Sequence, residues 1–304
     1  MKKIFVKVPG STANLGPGFD SIGLAVNLYL YLEAVPSERW EFIYETPGYE
    51  SVPKDENNLI YKAAQFTAQQ KGMPIDLPAH TVTVSCELPL AAGLGSSAAA
   101  IVAGIELADQ VLSLYLTKEE KARIASLYEG HPDNVTASVY GGLVVASHSK
   151  ESTVVVQSGV PELDMVIMTP KQELLTAESR EVLPKTLSFS ESIQASSIAN
   201  VLIAALLKGD LATAGEMMRK DLFHQPYREK IVPDLRTVME FGEKHGIEGV
   251  ALSGAGPSIM CYTRKGNGMA ILEKLRKAFP DYECRFLQPA KEGSTVTVAN
   301  ETYS

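Results

Sequence analysis

Hydrophobic and polar positions alternate over residues 3–8, where β-branched side chains predominate, and this predicts a first strand. Residues 22–35 read as one or two further strands, and Trp40-Glu41-Phe42-Ile43-Tyr44 as another. A helix begins around Asn57 and runs to Gln70, with Gly72 as its stop signal. The strand-like run Thr81–Ser85 leads into a loop of small residues, Ala91–Ser97, and then into a helix, Ala98–Leu112. Thr117 and Glu120 have capping-box spacing and open a helix through Ser126. Gly141-Gly142 precedes a strand ending near Ala146, and 153–157 and 163–168 are two more strands. A second capping box, Ser188 and Glu191, starts a helix over Ser192–Leu207, and a short helix follows Asp210. Pro233 suits the first turn of a helix that ends near Gly246. Strands at 249–252 and 258–263 flank a Gly-rich turn, followed by a helix, Met269–Phe279, and a strand at 282–287. Strands dominate early and helices late, with a switch near 160. The pattern predicts an α+β protein of two domains, 1–160 and 161–304, with a cleft between them.

The length of 304 residues and an apolar share of 45% allow a sizeable core and about two domains. A net charge of −8 argues against a nucleic-acid partner, which would need clustered Lys and Arg. It leaves room for a local anion site built from backbone N–H groups. The start has two lysines but no long apolar segment, and no apolar run reaches the length of a membrane span, so a cytoplasmic protein with no membrane partner is expected. Cys86, Cys261 and Cys284 are scattered, without metal-ligand spacing, and read as free buried thiols. His80, His148, His224 and His245 have no pairing suited to a metal, and surface or loop roles are expected for them. Trp40 reads as core or edge packing, and Lys118-Glu119-Glu120-Lys121 as a solvated helix face.

The most informative segment is Leu88-Pro89-Leu90-Ala91-Ala92-Gly93-Leu94-Gly95-Ser96-Ser97-Ala98-Ala99. Small residues let a backbone approach a ligand closely. Consecutive N–H groups at a loop-to-helix junction converge on an anion, and the helix N-terminus adds roughly half a positive charge. Two serines there can donate to phosphate or hold a metal ion. An ordinary Gly turn before an alanine-rich packing helix would have the same composition. A dinucleotide fingerprint fits poorly, because a proline-containing loop intervenes before Gly93. A Walker A loop is excluded, because no Gly-Lys pair occurs in the chain.

Pro89 to Ala99 resembles the phosphate loop P-x-x-x-G-L-G-S-S-A of the galactokinase, homoserine kinase, mevalonate kinase and phosphomevalonate kinase (GHMP) superfamily. Two further motifs resemble it in the same order: Pro9-Gly10-Ser11-Thr12-Ala13-Asn14-Leu15-Gly16-Pro17-Gly18-Phe19-Asp20, and Ser253-Gly254-Ala255-Gly256-Pro257-Ser258. Within the superfamily, Ala13–Asp20 and Glu129-Gly130-His131-Pro132-Asp133-Asn134 resemble the branch that acts on homoserine. The resemblance implies an N-terminal domain like the second domain of ribosomal protein S5 and a C-terminal ferredoxin-like domain. It implies transfer of a phosphoryl group from ATP to the hydroxyl of L-homoserine, with a mevalonate- or sugar-type kinase of the same superfamily or a non-catalytic ligand-binding relative as the alternatives, and a homodimer is common among such relatives.

Carried onto this chain, the resemblance places Mg²⁺ on Ser97 and Glu129, the nucleotide phosphates on Pro89–Ala99, and adenosine beside Asn58. Asn58 also reads simply as a helix-start residue. Asn14, Asp20, His131 and Asn134 would surround the substrate's polar end and hydroxyl, with Gly254 nearby. Arg180 and Arg228 would meet the carboxylate, though either could equally be a surface residue. Arg180 lies in a stretch resembling T-x-x-A-R-x-x-L-P, with Ser179 in place of the usual alanine. Catalysis by positioning and charge stabilisation is expected, with Asp133 as the alternative base. Many such kinases have a longer stretch between the metal-binding glutamate and the histidine than Glu129-Gly130-His131 provides.

Overall fold

The computed structural model describes residues 2–171 and 176–300. In chain order the first half forms β1 (Lys2–Ala13), β2 (Ile22–Pro36), β3 (Glu41–Tyr44), α1 (Leu59–Gln70), β4 (His80–Cys86), α2 (Ser96–Leu112), α3 (Lys118–Glu129), α4 (Asp133–Tyr140), β5 (Leu143–His148) and β6 (Thr153–Gln157). The rest forms β7 (Leu163–Pro170), α5 (Thr176–Glu181), α6 (Phe189–Lys208), α7 (Leu211–Arg219), α8 (Gln225–Arg228), α9 (Asp234–His245), β8 (Gly249–Leu252), β9 (Ile259–Arg264), α10 (Gly268–Ala278), β10 (Tyr282–Leu287) and β11 (Thr295–Asn300).

The first sheet has the order β11-β1-β2-β4-β3, with β5 and β6 branching from β2. Alternation in β1 turns Ile4, Val6 and Val8 inward and leaves Phe5 and Lys7 exposed. α2 and α4 pack on β1 and β2, and α1 and α3 pack on α2. The β1–β2 register shifts between Pro9 and Gly10. A proline there cannot donate to the ladder. A Cβ on Gly10 would lie 2.9 Å from the carbonyl oxygen of Leu94, so glycine lets the small-residue loop lie against the strand.

The second sheet has the order β10-β7-β9-β8, all antiparallel. Counting its strands along the chain, this is fourth, first, third, second, the ferredoxin-like arrangement. One face carries a separate core that includes Val166, Leu252, Val238 of α9 and Ile271 of α10. Met165, Ile167, Met260 and Tyr262, on the other face, join Met218 of α7 and Leu202 of α6 in the same core as the first sheet. The chain passes between the sheets after β6, and β11 returns to pair antiparallel with β1.

Several expectations change. The helix opened by Thr117 continues to Glu129, α4 and β11 add elements that the pattern did not suggest, and α2 starts at Ser96. Lys121 is not on a solvated face: it is mostly buried and pairs with the buried carboxylates of Glu106 at 2.7 Å and Asp109 at 2.9 Å. His80 and His224 are buried, not at the surface. By length and composition α6 could cross a membrane; its Ala195, Ile198, Leu202, Ala205 and Leu206 are buried inside the protein, and Phe189, Ile193, Val201 and Leu207 are exposed. The three cysteines are free and buried, as expected. Both capping boxes form.

Candidate active site

Local backbone chemistry builds the floor of the cleft. Gly93 and Gly95 adopt left-handed φ angles of 72° and 68°. A Cβ on Gly93 would lie 2.2 Å from the carbonyl oxygen of Ser253, and one on Gly95 would lie 2.3 Å from Ser11 Oγ. The loop is therefore held between the end of β1 and the turn after β8. Ser253 Oγ bonds both Gly93 O, at 2.5 Å, and Thr12 Oγ1, at 2.9 Å. Gly95 is the N-cap of α2 and supplies no side-chain cap, so the first N–H groups of a 17-residue helix remain available. Pro89, Ala91, Ala92, Gly93, Gly95, Ser96, Ser97 and Ala98 line the cleft over them. Leu94 and Ala99 are buried and anchor the loop, and Leu90 is half-buried. Tyr49 ties the loop from behind, donating from its hydroxyl to Leu88 O and lying 3.3 Å from Ser96 Oγ.

The acidic wall follows from two adjacent helix ends. Gly130, at φ 88°, ends α3 immediately after Glu129, and Pro132 is the N-cap of α4. The turn brings Glu129, His131, Asp133 and Asn134 to the same cleft. His131 Nδ1 lies 2.8 Å from Asp133 Oδ1, which also accepts the Asn134 N–H at 2.7 Å. Ser11 Oγ lies 2.9 Å from Asn134 Oδ1 and 3.2 Å from Asn134 O and so holds that side chain in place. Burial pushes the His131 imidazole down, but the hydrogen bond and charge of Asp133, helped by Glu129 and Asp20, outweigh it and raise the pKa. Burial raises the pKa of Glu129; His131 opposes this and Asp133 adds to it.

The opposite wall comes from the loop after β1 and from the second half of the chain. Asn14, Leu15 and Asp20 hold positive φ, a conformation that costs about 1–3 kcal/mol each in non-glycine residues. Asn14 secures the loop: its Oδ1 accepts the Asp20 N–H at 3.0 Å and its Nδ2 donates to Gly254 O at 3.1 Å. Arg180 donates to both Asp20 oxygens, at 2.6 and 3.1 Å. Ser179, in place of the usual alanine, donates from Oγ to Ala255 O at 2.6 Å and ties α5 to the Gly-rich turn. The side chains of Thr176, Ala177 and Glu178 in this motif lie outside the described residues.

Arg228 is 1% exposed, yet it lines the cleft. Its Nε donates to Ser179 O at 3.1 Å, and its Nη1 bonds Gly254 O at 3.1 Å and His224 Nδ1 at 3.0 Å. Nη2 has no partner among the described residues. Burial and the nearby Arg180 charge lower its pKa to about 10, despite the opposing carboxylates of Asp20, Asp221 and Asp133. Such a guanidinium favours an incoming anion.

The residues expected at a metal fit one. The Ser97 hydroxyl and the Glu129 carboxylate form no hydrogen bond among the described residues, and both line the cleft. Glu129 is largely desolvated, its closest charged contact being His131 Nε2 at 3.9 Å. A hydroxyl and a carboxylate together are the hard oxygen set that Mg²⁺ accepts alongside phosphate. Asp20, His131 and Asp133 also bring three possible ligand atoms within 4.8 Å of one another. Both Asp20 oxygens already serve Arg180, and Asp133 Oδ1 serves His131 and the Asn134 N–H.

Asn58 does not line the cleft. It is buried, caps α1 through the Ile60 N–H at 2.9 Å, and donates to Tyr44 Oη at 3.0 Å. Tyr44 stacks on Tyr49, which links Asn58 to the small-residue loop. Phe19 lines the cleft without having been singled out, although it stands within a quoted motif, and Gly254, Ala255 and Gly256 of the Gly-rich turn line it too. His224 and Ser11 support the walls from behind.

Residues 58–142 match the GHMP kinases N terminal domain, and residues 202–281 match the GHMP kinases C terminal domain. The homoserine kinase of Shouchella clausii is 50% identical over 97% of this chain and 98% of its own length. The chain belongs to the homoserine kinase family. The homoserine kinase of Bacillus velezensis is 47% identical over 96% of the chain and 94% of its own length. The crystal structure of the family member from Cytophaga hutchinsonii superposes with a TM-score of 0.84 at 27% identity, over 97% of each chain. The two-domain α+β architecture is thus that of homoserine kinases within the GHMP group.

Proposed function

We propose that the chain transfers the γ-phosphoryl group of ATP to the hydroxyl of L-homoserine, giving ADP and O-phospho-L-homoserine, a step of threonine biosynthesis in the cytoplasm. The bond from the γ-phosphorus to the ATP bridging oxygen breaks, and a bond to the hydroxyl oxygen forms as the hydroxyl proton leaves. The observation that carries this reading is one cleft with an uncapped helix N-terminus on its floor and side chains of both charge signs on its walls. A polyphosphate needs the first, and an amino acid that keeps its ammonium and carboxylate needs the second.

Backbone N–H groups at the start of α2 and the Ser96 and Ser97 hydroxyls bind the phosphates. Ser97 and Glu129 hold Mg²⁺, which when bound neutralises charge on the phosphate oxygens. Arg228, through Nη2, and Arg180 orient the acceptor carboxylate; Asp20 faces its ammonium end, with Asn14 and Gly254 shaping the loop around it, and His131 lies on the hydroxyl side beside Asp133. Asn134, steadied by Ser11, holds the hydroxyl. Asp133 Oδ2 has no hydrogen bond among the described residues, which supports Asp133 as the acceptor of the proton. Phosphoryl transfer through a loose transition state depends mainly on positioning and charge, so Asp133 supplies a modest share. Asn58 supports the nucleotide side from behind the loop.

A coupled assay tests the reading. Homoserine is compared with the hydroxy acid lacking its ammonium, the amino alcohol lacking its carboxylate, mevalonate and galactose. Homoserine should have the highest kcat/KM, and loss of either charged group should lower it by about a hundredfold or more. Comparable turnover of mevalonate or galactose would refute it.

A further inference from the structure

We infer that His224 is a positioning residue for the amino-acid end of the acceptor, acting through the Arg228 guanidinium, with the Gly16 carbonyl fixing its tautomer. The inference rests on the reading of Arg228 as part of the carboxylate clamp.

His224 is fully buried. Its Nε2 lies 2.9 Å from Gly16 O, and a carbonyl oxygen can only accept. Nε2 therefore carries the hydrogen. Its Nδ1 lies 3.0 Å from Arg228 Nη1, and a guanidinium can only donate. Nδ1 is therefore bare. Two independent neighbours require the same neutral tautomer, and a second proton would set an Nδ1–H against an Arg228 N–H. The other charged group facing the ring, Asp221 Oδ2, is 3.4 Å from Nε2 and agrees with a hydrogen there. Asp221 is engaged elsewhere as well, its oxygens accepting the N–H groups of Phe223, His224 and Gln225. Burial lowers the imidazole pKa, which keeps the ring neutral.

The geometric consequence concerns the clamp. Fixing Nη1 between His224 Nδ1 and Gly254 O, and Nε on Ser179 O, sets the guanidinium plane and leaves Nη2 as the free donor pair. The same imidazole holds Gly16, in the middle of the loop that carries Asn14 and Asp20. It also stacks on Phe19 at 5.2 Å, and Phe19 lies beneath both guanidinium groups at 5.5 Å. One ring thus sets the second half's arginine and the first half's acceptor loop in a fixed relation.

Two substitutions separate the two bonds. His224→Asn places an acceptor near the Nδ1 position and gives up the donor to Gly16; His224→Gln reaches Gly16 with a donor and gives up the acceptor for Arg228. We expect His224→Gln to raise the homoserine KM about tenfold, with the KM for ATP changed less than about twofold and His224→Asn within about threefold of wild type. In an Arg228→Ala background the effect of His224→Gln should vanish. Equal losses in the Asn and Gln variants, parallel rises in both KM values, or multiplicative effects with Arg228→Ala would overturn the inference. An unchanged homoserine KM in Arg228→Ala would instead sink the clamp reading itself. Should either His224 variant fail to fold, ¹⁵N NMR of the wild-type ring decides: at neutral pH Nδ1 should be unprotonated, and a charged or Nδ1–H ring overturns the inference.

Discussion

Arg180 reaches across the cleft to Asp20 with both terminal nitrogens, Nη2 to Oδ1 at 2.6 Å and Nη1 to Oδ2 at 3.1 Å. The two residues come from different halves of the chain, so the pair holds the acceptor loop and α5 in register. About a third of each side chain is exposed, 37% and 35%, and solvent screens the pair. It therefore contributes only about 0–1 kcal/mol to stability and serves mainly to orient the arginine. Asp20→Asn should raise the homoserine KM by about ten- to a hundredfold, leaving the ATP KM and Tm nearly unchanged. Steady-state kinetics and a thermal melt check this; an equal rise for ATP would contradict it.

Gly95→Ala would add a methyl group at φ 68°, 2.3 Å from Ser11 Oγ and 3.2 Å from Asn134 Oδ1. The strain should cost about 1–3 kcal/mol of stability and displace the helix N-terminus from the phosphates. We expect kcat/KM for ATP to fall by more than about a hundredfold. Normal nucleotide affinity in this variant would remove the loop from the phosphate site.

Glu129 shows how function can oppose stability. Its raised pKa means that the folded chain binds its proton more tightly than the unfolded chain does. The ionised form at neutral pH therefore costs stability. Glu129→Gln removes that cost and should raise Tm, while lowering kcat about 10²–10³-fold and increasing the Mg²⁺ needed for half-maximal rate. A variant with lowered Tm and unaltered Mg²⁺ response would contradict both statements.

His131 has the same direction of shift but the opposite charge. A histidine whose folded pKa is raised gives stability that is fully present below the ordinary value of 6.5 and is lost as pH rises through the higher folded value. The Tm difference between wild type and His131→Asn should be largest on the acid side of that window and shrink above it. A difference that grows with pH would show that the ring is not stabilised as a cation by Asp133, Glu129 and Asp20.

The segments legible in the sequence are those where few residue types are physically possible. Gly93 and Gly95 combine left-handed backbone with contacts that exclude a Cβ, and the tight loop at the start of α2 is legible from them. α4 was not visible, because Val135-Thr136-Ala137-Ser138-Val139 mixes β-branched and small residues. Its helix is held by burial of Val135, Ala137 and Val139. β11 carries alternating threonine and valine, a usable strand signal, but its partner β1 is at the other end of the chain. Lys121 reads as solvated until the buried Glu106 and Asp109 are placed beside it. His224 carries no local sign of its burial; only the fold brings it to Gly16, 208 positions away.

The most direct test is ³¹P NMR of the chain with ATP, Mg²⁺ and L-homoserine. The account predicts that the γ-phosphate resonance disappears as ADP and a phosphomonoester of homoserine appear in equal amounts, and that omitting homoserine stops turnover. Release of free phosphate alone, or an unchanged ATP spectrum with folded protein, would contradict it.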